Sequence, residues 1–112
     1  MGSAVIRSVL VLKPKPGKAG DVVQLFQEEG IIERALTVDG CHDVSVLSSE
    51  ADILVTATWD DAAAYQAWID HPERNSSSDE LNALLTNTID ARSVAALYDV
   101  ALTGSAEGRN KE

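Results

Sequence analysis

ILVTATWDDAAAYQAWIDHPE, residues 53–73, changes its hydrophobic period halfway along. Ile53, Val55, Ala57 and Trp59 alternate with their neighbours, which is the period of a strand with one face buried. After Asp60 the spacing becomes helical: Tyr65, Trp68 and Ile69 fall on one face of a helix. Asp60 is placed to cap that helix, and Pro72 stops it soon after Asp70. A strand that runs straight into an amphipathic helix is half of a split β-α-β unit, and the flanking sequence supplies the rest.

Upstream, CHDVSVL (41–47) reads as a strand and SSEAD as a polar turn, so the second and third strands form a hairpin. Before them, KAGDVVQLFQEEGIIERALTV (18–38) carries Val22, Phe26, Ile32 and Leu36 at helical spacing, with Gly30 weakening the interior by about 1 kcal/mol relative to alanine. Asp39-Gly40 ends it. AVIRSVLVL (4–12) is the first strand, closed by the turn-forming KPKPG. Downstream, ERNSSS reads as a loop, and SDELNALLTNTI as a short helix capped by Ser78 or Asp79. RSVAALYDVAL (92–102) is the last strand. The order is β-α-β-β-α-β, an α+β, ferredoxin-like domain over residues 4–102 with a four-stranded antiparallel sheet and helices on one face. Residues 103–112 read as a mobile polar tail.

The first and last strands are apolar on both alternating faces: Val5, Val9 and Val11 against Ile6, Leu10 and Leu12, then Val94, Ala96, Tyr98 and Val100 against Ala95, Leu97 and Ala101. Two helices cover one face of such a sheet. A second copy of the chain is the economical cover for the other, which predicts a symmetric homodimer.

A length of 112 residues fits one domain with a modest core. The net charge of −9, with only Lys13, Lys15 and Lys18 clustered, argues against nucleic acid as a partner. Every apolar run falls well short of the ~20 residues that span a bilayer, so no membrane partner is expected. The N-terminus has no signal-peptide pattern, and Cys41 is the single cysteine; both fit a cytoplasmic location. Metal-ligand spacings, phosphate-binding glycine loops and flavin or nicotinamide fingerprints do not occur, and no cofactor is expected.

The runs VLVLKPKPGKAGDVVQLFQE, DGCHDVSVL and ILVTATWDDAAAYQAWIDHPE together resemble the antibiotic biosynthesis monooxygenase domain, a dimeric α/β-barrel family. The shared marks are a Pro-Gly turn after the first strand, Gly40-Cys41 before the second, and a Trp ending the third. An acidic cap, an aromatic-x-x-Trp helix and a His-Pro stop follow. The resemblance implies cofactor-independent oxygenation of a small aromatic or quinol-like substrate in some members, and haem cleavage in others. Haem-cleaving relatives also use an Asn on the first strand and a His about three turns past the Trp. This chain has Arg7 and Ser8 in the one place and NSSSDEL in the other, so haem cleavage is disfavoured.

The candidate catalytic residues are His71, Trp68 and Arg7; the candidate substrate-binding residues are Tyr65, Trp59, His42 and Phe26. His71 and His42 are the candidate acid-base groups, because imidazole is the side chain most often used for proton transfer, although each also suits a structural or solvent-facing place. Arg7 interrupts an apolar strand and needs a carboxylate or an anionic ligand, for which Asp99 is the expected partner; its other reading is an interface group. Trp59, on a strand among large same-face neighbours, is expected to be mainly core. Trp68 is expected to line a cavity, because Ala64 and Ala67 beside it leave space. Cys41 reads as a small buried filler. Two functions remain open: a small oxygenase, and a non-catalytic or stress-related dimeric protein that binds a small molecule.

Overall fold

The alternation in residues 53–59 becomes the strand around which the sheet is built. The structure is a computed structural model that describes residues 5–71, 78–86 and 95–104. In chain order the elements are β1 (Ile6–Leu12), α1 (Ala19–Glu29), α2 (Ile31–Leu36), β2 (Cys41–Ser48), β3 (Ile53–Trp59), α3 (Ala62–Ile69), α4 (Ser78–Leu84) and β4 (Ala96–Asp99). The sheet runs β2-β3-β1-β4, antiparallel at every pairing. This is the α+β, ferredoxin-like arrangement that the sequence order implies.

Register sorts the residues into two faces. Ile6 pairs with Trp59, Ser8 with Ala57, Leu10 with Val55 and Leu12 with Ile53, and these side chains look toward the helices. Arg7 with Thr58, Val9 with Thr56 and Val11 with Leu54 look the other way. Under the helices the core forms two clusters. Leu12, Val22, Phe26, Ile53, Leu81 and Leu85 lie beneath α1 and α4. Ile6, Ala57, Trp59, Ala64 and Tyr65 lie beneath α3. Each large side chain fully buried here contributes about 1.5–3 kcal/mol of hydrophobic stabilisation.

The single helix expected over 18–38 is two. Gly30 adopts φ 65°, ψ 32°, a left-handed conformation open to glycine, and ends α1 while starting α2. Arg34 Nη2 donates to the Glu29 carbonyl at 2.8 Å, so an orphan acceptor of the broken helix is satisfied. The break changes the phase of the apolar face. Ala35 is buried and Leu36 is exposed, where continuous helical spacing put Leu36 inward.

Three further local expectations are corrected. The cap of α3 is Asp61, whose Oδ1 accepts from the Ala64 N–H at 3.0 Å, not Asp60. Ser78 and Asp79 lie within the first turn of α4 rather than ahead of it, and that helix ends at Leu84. Strand four covers Ala96–Asp99 only; of the expected 92–102 span, 92–94 fall outside the described residues, as does the loop expected from Glu73. The KPKP segment has an additional job. Lys15 N–H donates to Leu84 O and Thr86 N–H to Lys13 O, which fastens the end of α4 to the end of β1.

Candidate functional site

Trp59 and Tyr65 form the floor of the α3 cluster. Trp59 is 1% exposed, and its Nε1 donates to the Ser8 hydroxyl at 3.0 Å. Tyr65 meets it edge-on, with ring centroids 5.7 Å apart and planes at 72°. The Tyr65 hydroxyl accepts from the Ala95 N–H at 2.7 Å, which anchors the entry to β4. Both rings therefore have their polar handles committed, as buried Trp and Tyr require. Ser8 was not singled out from sequence; its signal is a hydroxyl in an apolar strand on the face of a tryptophan.

Trp68 and Ile69 continue the same helical face but stay half-buried, packed on the outside of this cluster. The Trp68 ring lies 5.6 Å from the His71 ring, tilted by 49°. His71 N–H donates to Trp68 O at 3.0 Å, closing the last turn and fixing the imidazole beside the indole.

The two alanines beside Trp68 sit in different surroundings. Ala67 is exposed. Ala64 is buried because the chain at Gly40 presses on it: a Cβ at Gly40 would stand 2.8 Å from Ala64 Cβ and 3.3 Å from Asp60 Oδ2. Gly40 has φ 92°, and its carbonyl accepts from the Asp60 N–H at 2.8 Å. Ala64 is small so that β2 can start against α3.

His42 sits at this corner. Alternation put it in phase with Val44 and Val46, but the register shifts between Cys41 and Asp43, so His42 is the extra residue of a bulge. Its Nε2 lies 2.6 Å from Asp60 Oδ1, both side chains exposed. Asp60, read from the sequence as the cap of α3, is instead His42's partner. The corner is at the start of α3 and His71 at its end, about 12 Å along an eight-residue helix.

Arg7 is on the opposite face of the sheet. Its Nε donates to Thr58 Oγ1 at 3.3 Å, while Asp99 pairs across from Ile6 and does not meet it. Phe26 belongs to the α1–α4 cluster. The structure therefore brings Trp68, His71, Tyr65 and Trp59 together, and separates Arg7, Phe26 and His42 from them. Cys41 packs partly buried against the α3 cluster; burial, and secondarily the Asp43 carboxylate, push its thiol above the ordinary range.

Two surface depressions lined by described residues lie elsewhere. One of about 520 Å³ is bordered by Pro14–Gly17, Ala19, Gly20 and Glu50, and one of about 380 Å³ lies between α1 and α4. Among the described residues no group of three or more His, Cys, Asp or Glu side chains could hold a metal ion, and no helix is long and apolar enough to cross a membrane.

Known proteins share this architecture. A conserved protein from Methanosarcina mazei Go1 superposes with a TM-score of 0.69 at 20% identity, over 86% of this chain and 92% of the other. A candidate antibiotic biosynthesis monooxygenase from Bacillus cereus gives 0.67 at 25% identity, over 93% and 100%. SnoaB, a cofactor-independent oxygenase from Streptomyces nogalater crystallised as a point variant, gives 0.70 at 15% identity, over 90% and 97%. No curated protein matches the chain in sequence. The sequence model of the antibiotic biosynthesis monooxygenases matches residues 5–75, well over half of the 112 residues and all of β1 through α3. The chain belongs to the antibiotic biosynthesis monooxygenase family.

Proposed function

We propose that the protein is a cofactor-independent monooxygenase acting on a small aromatic or quinol-like substrate at the outer end of α3. The observation that carries this reading is the half-buried Trp68 ring with the His71 imidazole 5.6 Å from it, above a fixed floor of Trp59 and Tyr65. Trp68 offers a stacking surface for an aromatic ring. His71 takes a proton from an activated C–H or O–H of the substrate. For an anthrone-like CH2 group, the resulting carbanion passes its electrons to dioxygen. One oxygen atom becomes the new carbonyl and the other leaves as water with the two hydrogens. The enzyme's contribution is deprotonation, orientation and exclusion of bulk water. Arg7, His42 and Phe26 lie apart from Trp68 and His71 and have no part in this step.

The protein works as a cytoplasmic homodimer in this reading. Support comes from the open sheet face, which carries Val9, Val11, Leu54, Leu47 and Tyr98 with no helix of the described residues over them.

The test is oxygen uptake by the purified protein with a panel of hydroquinones and anthrones, repeated with Trp68→Phe and His71→Gln. Uptake that His71→Gln abolishes supports the proposal. Uptake unchanged in both variants refutes this site. The separation of His42 and Arg7 from Trp68 favours one second reading, a binding protein without turnover. It predicts quenching of Trp fluorescence by the same aromatics with no oxygen consumed.

A further inference from the structure

The open face of the sheet is ordered from charged to apolar along the strands. Register places Asp43 on β2, Thr58 on β3, Arg7 on β1 and Tyr98 on β4 in one row across the sheet. The middle row is Ser45, Thr56, Val9 and Ala96; the far row is Leu47, Leu54 and Val11. Leu47 is 51% exposed, Val11 38% and Tyr98 59%. Arg7 and Asp43 are both exposed, and among the described residues neither forms an ion pair within the chain. They flank Thr58 symmetrically, one strand to each side and about 10 Å apart.

We infer that this face closes on a second copy about a twofold axis running along β3, with Arg7 paired to the partner's Asp43 and Asp43 to the partner's Arg7. The inference rests on the dimer proposed above and assigns its register. A twofold interface pairs residue i with j and j with i, so one row holding both charges equidistant from its centre is self-complementary. The same axis sets Leu47 on the partner's Val11, Val11 on the partner's Leu47 and Leu54 on the partner's Leu54. Charge thus meets opposite charge at one end, and apolar surface meets apolar surface at the other. The three strands involved have matched lengths of seven or eight residues, whereas β4 has four.

The alternatives fail on the same residues. An axis across the strands through the charged row sets Arg7 on the partner's Arg7. Moved toward the middle of the sheet, it sets Arg7 on the partner's Val11. An axis between β1 and β3 sets Arg7 on the partner's Thr58 and covers a guanidinium without a counter-charge, which is costly.

The register is testable because the pairing is reciprocal. Arg7→Asp leaves two acids in the row, and Asp43→Arg leaves two bases. Each variant alone faces like charge with like charge, and its dimer dissociation constant should rise on the order of 100-fold or more. Mixed one to one, every charge in the row again meets its opposite, so a mixed dimer should form near the wild-type concentration. Mass measurement across a dilution series reads the dissociation constants, and native mass spectrometry of the mixture reads the mixed dimer. Monomeric single variants and a recovered mixed dimer support the register. Single variants whose dissociation constants stay within a few-fold of the wild type's overturn it and leave the dimer itself standing. Monomeric single variants whose mixture stays monomeric also overturn it. A monomeric wild type overturns the dimer and the register together.

Discussion

Replacing Gly40 by alanine probes the corner where β2, β3 and α3 meet. Two costs are visible. At φ 92° an L side chain is strained, which costs about 1–2 kcal/mol in a left-handed conformation. The new Cβ would also stand 2.8 Å from Ala64 Cβ and 3.3 Å from Asp60 Oδ2, and overpacking of this kind costs about 1–3 kcal/mol. The sum is about 2–5 kcal/mol, or a fall in Tm of about 8–20 °C at about 4 °C per kcal/mol. Gly30→Ala serves as the control, since Gly30 shares the positive φ but its nearest new neighbour is Glu33 Oε1 at 3.9 Å. It should show the strain alone, about 1–2 kcal/mol. Ala64→Gly by itself should cost about 1 kcal/mol in helix propensity. Combined with Gly40→Ala it removes the clash, so the double variant should be more stable than the sum of the singles by about 1–3 kcal/mol. Thermal and urea melts of the four variants complete the cycle. Additivity within about 0.5 kcal/mol would refute the close contact. Gly40→Ala melting no lower than Gly30→Ala would do the same.

Trp59→Ala should cost about 3–5 kcal/mol in a urea melt, because it empties the centre of the α3 cluster and leaves the Ser8 hydroxyl without its donor. Asp61→Ala should lose about 1 kcal/mol as the cap of α3, while exposed Asp60→Ala should change stability by less than about 0.5 kcal/mol; equal losses would contradict the assignment of the cap. The raised pKa of Cys41 predicts slow alkylation by iodoacetamide near pH 8, with a rate that climbs only at more alkaline pH. The protonated thiol is the form that folding favours. Its contribution to stability is therefore complete below the unfolded pKa and is lost as pH rises through the folded one; alkylation as fast as in the denatured chain would contradict this.

The sheet was legible because Ile53, Val55, Ala57 and Trp59 keep strict alternation and Tyr65, Trp68 and Ile69 keep helical spacing. Periodicity carries that information directly. It failed where a single residue changed the phase. Gly30 reads as a weak helix position until its backbone is known to be left-handed, and the inward residue moves from Leu36 to Ala35. The bulge at His42 is equally silent, because Cys41 and Val44 face the same way only once an extra residue lies between them. The cap read as Asp60 lies one residue later, at Asp61, because only the hydrogen bond to Ala64 shows where the helical turn begins. Of the candidate site, the neighbours on α3 were readable from local spacing. The placement of Arg7 on the opposite face follows from the alternation of β1, but its Thr58 contact needs the long-range register.

The two outer strands bear on what happens when many copies meet. An exposed edge with free N–H and C=O groups invites another strand, and edge-to-edge pairing has no natural end, so it grows toward fibres. Here β4 offers only four residues as a template, and β2 begins with the bulge at His42 and carries Asp43 just inside it. Both edges are poor seeds for polymerisation. Contact through the broad face is self-limiting instead, since a twofold union uses up the surface that made it. The extra residue in β2 therefore protects the chain's solubility as well as shaping the α3 corner, and deleting it should be judged by turbidity on storage as much as by melting.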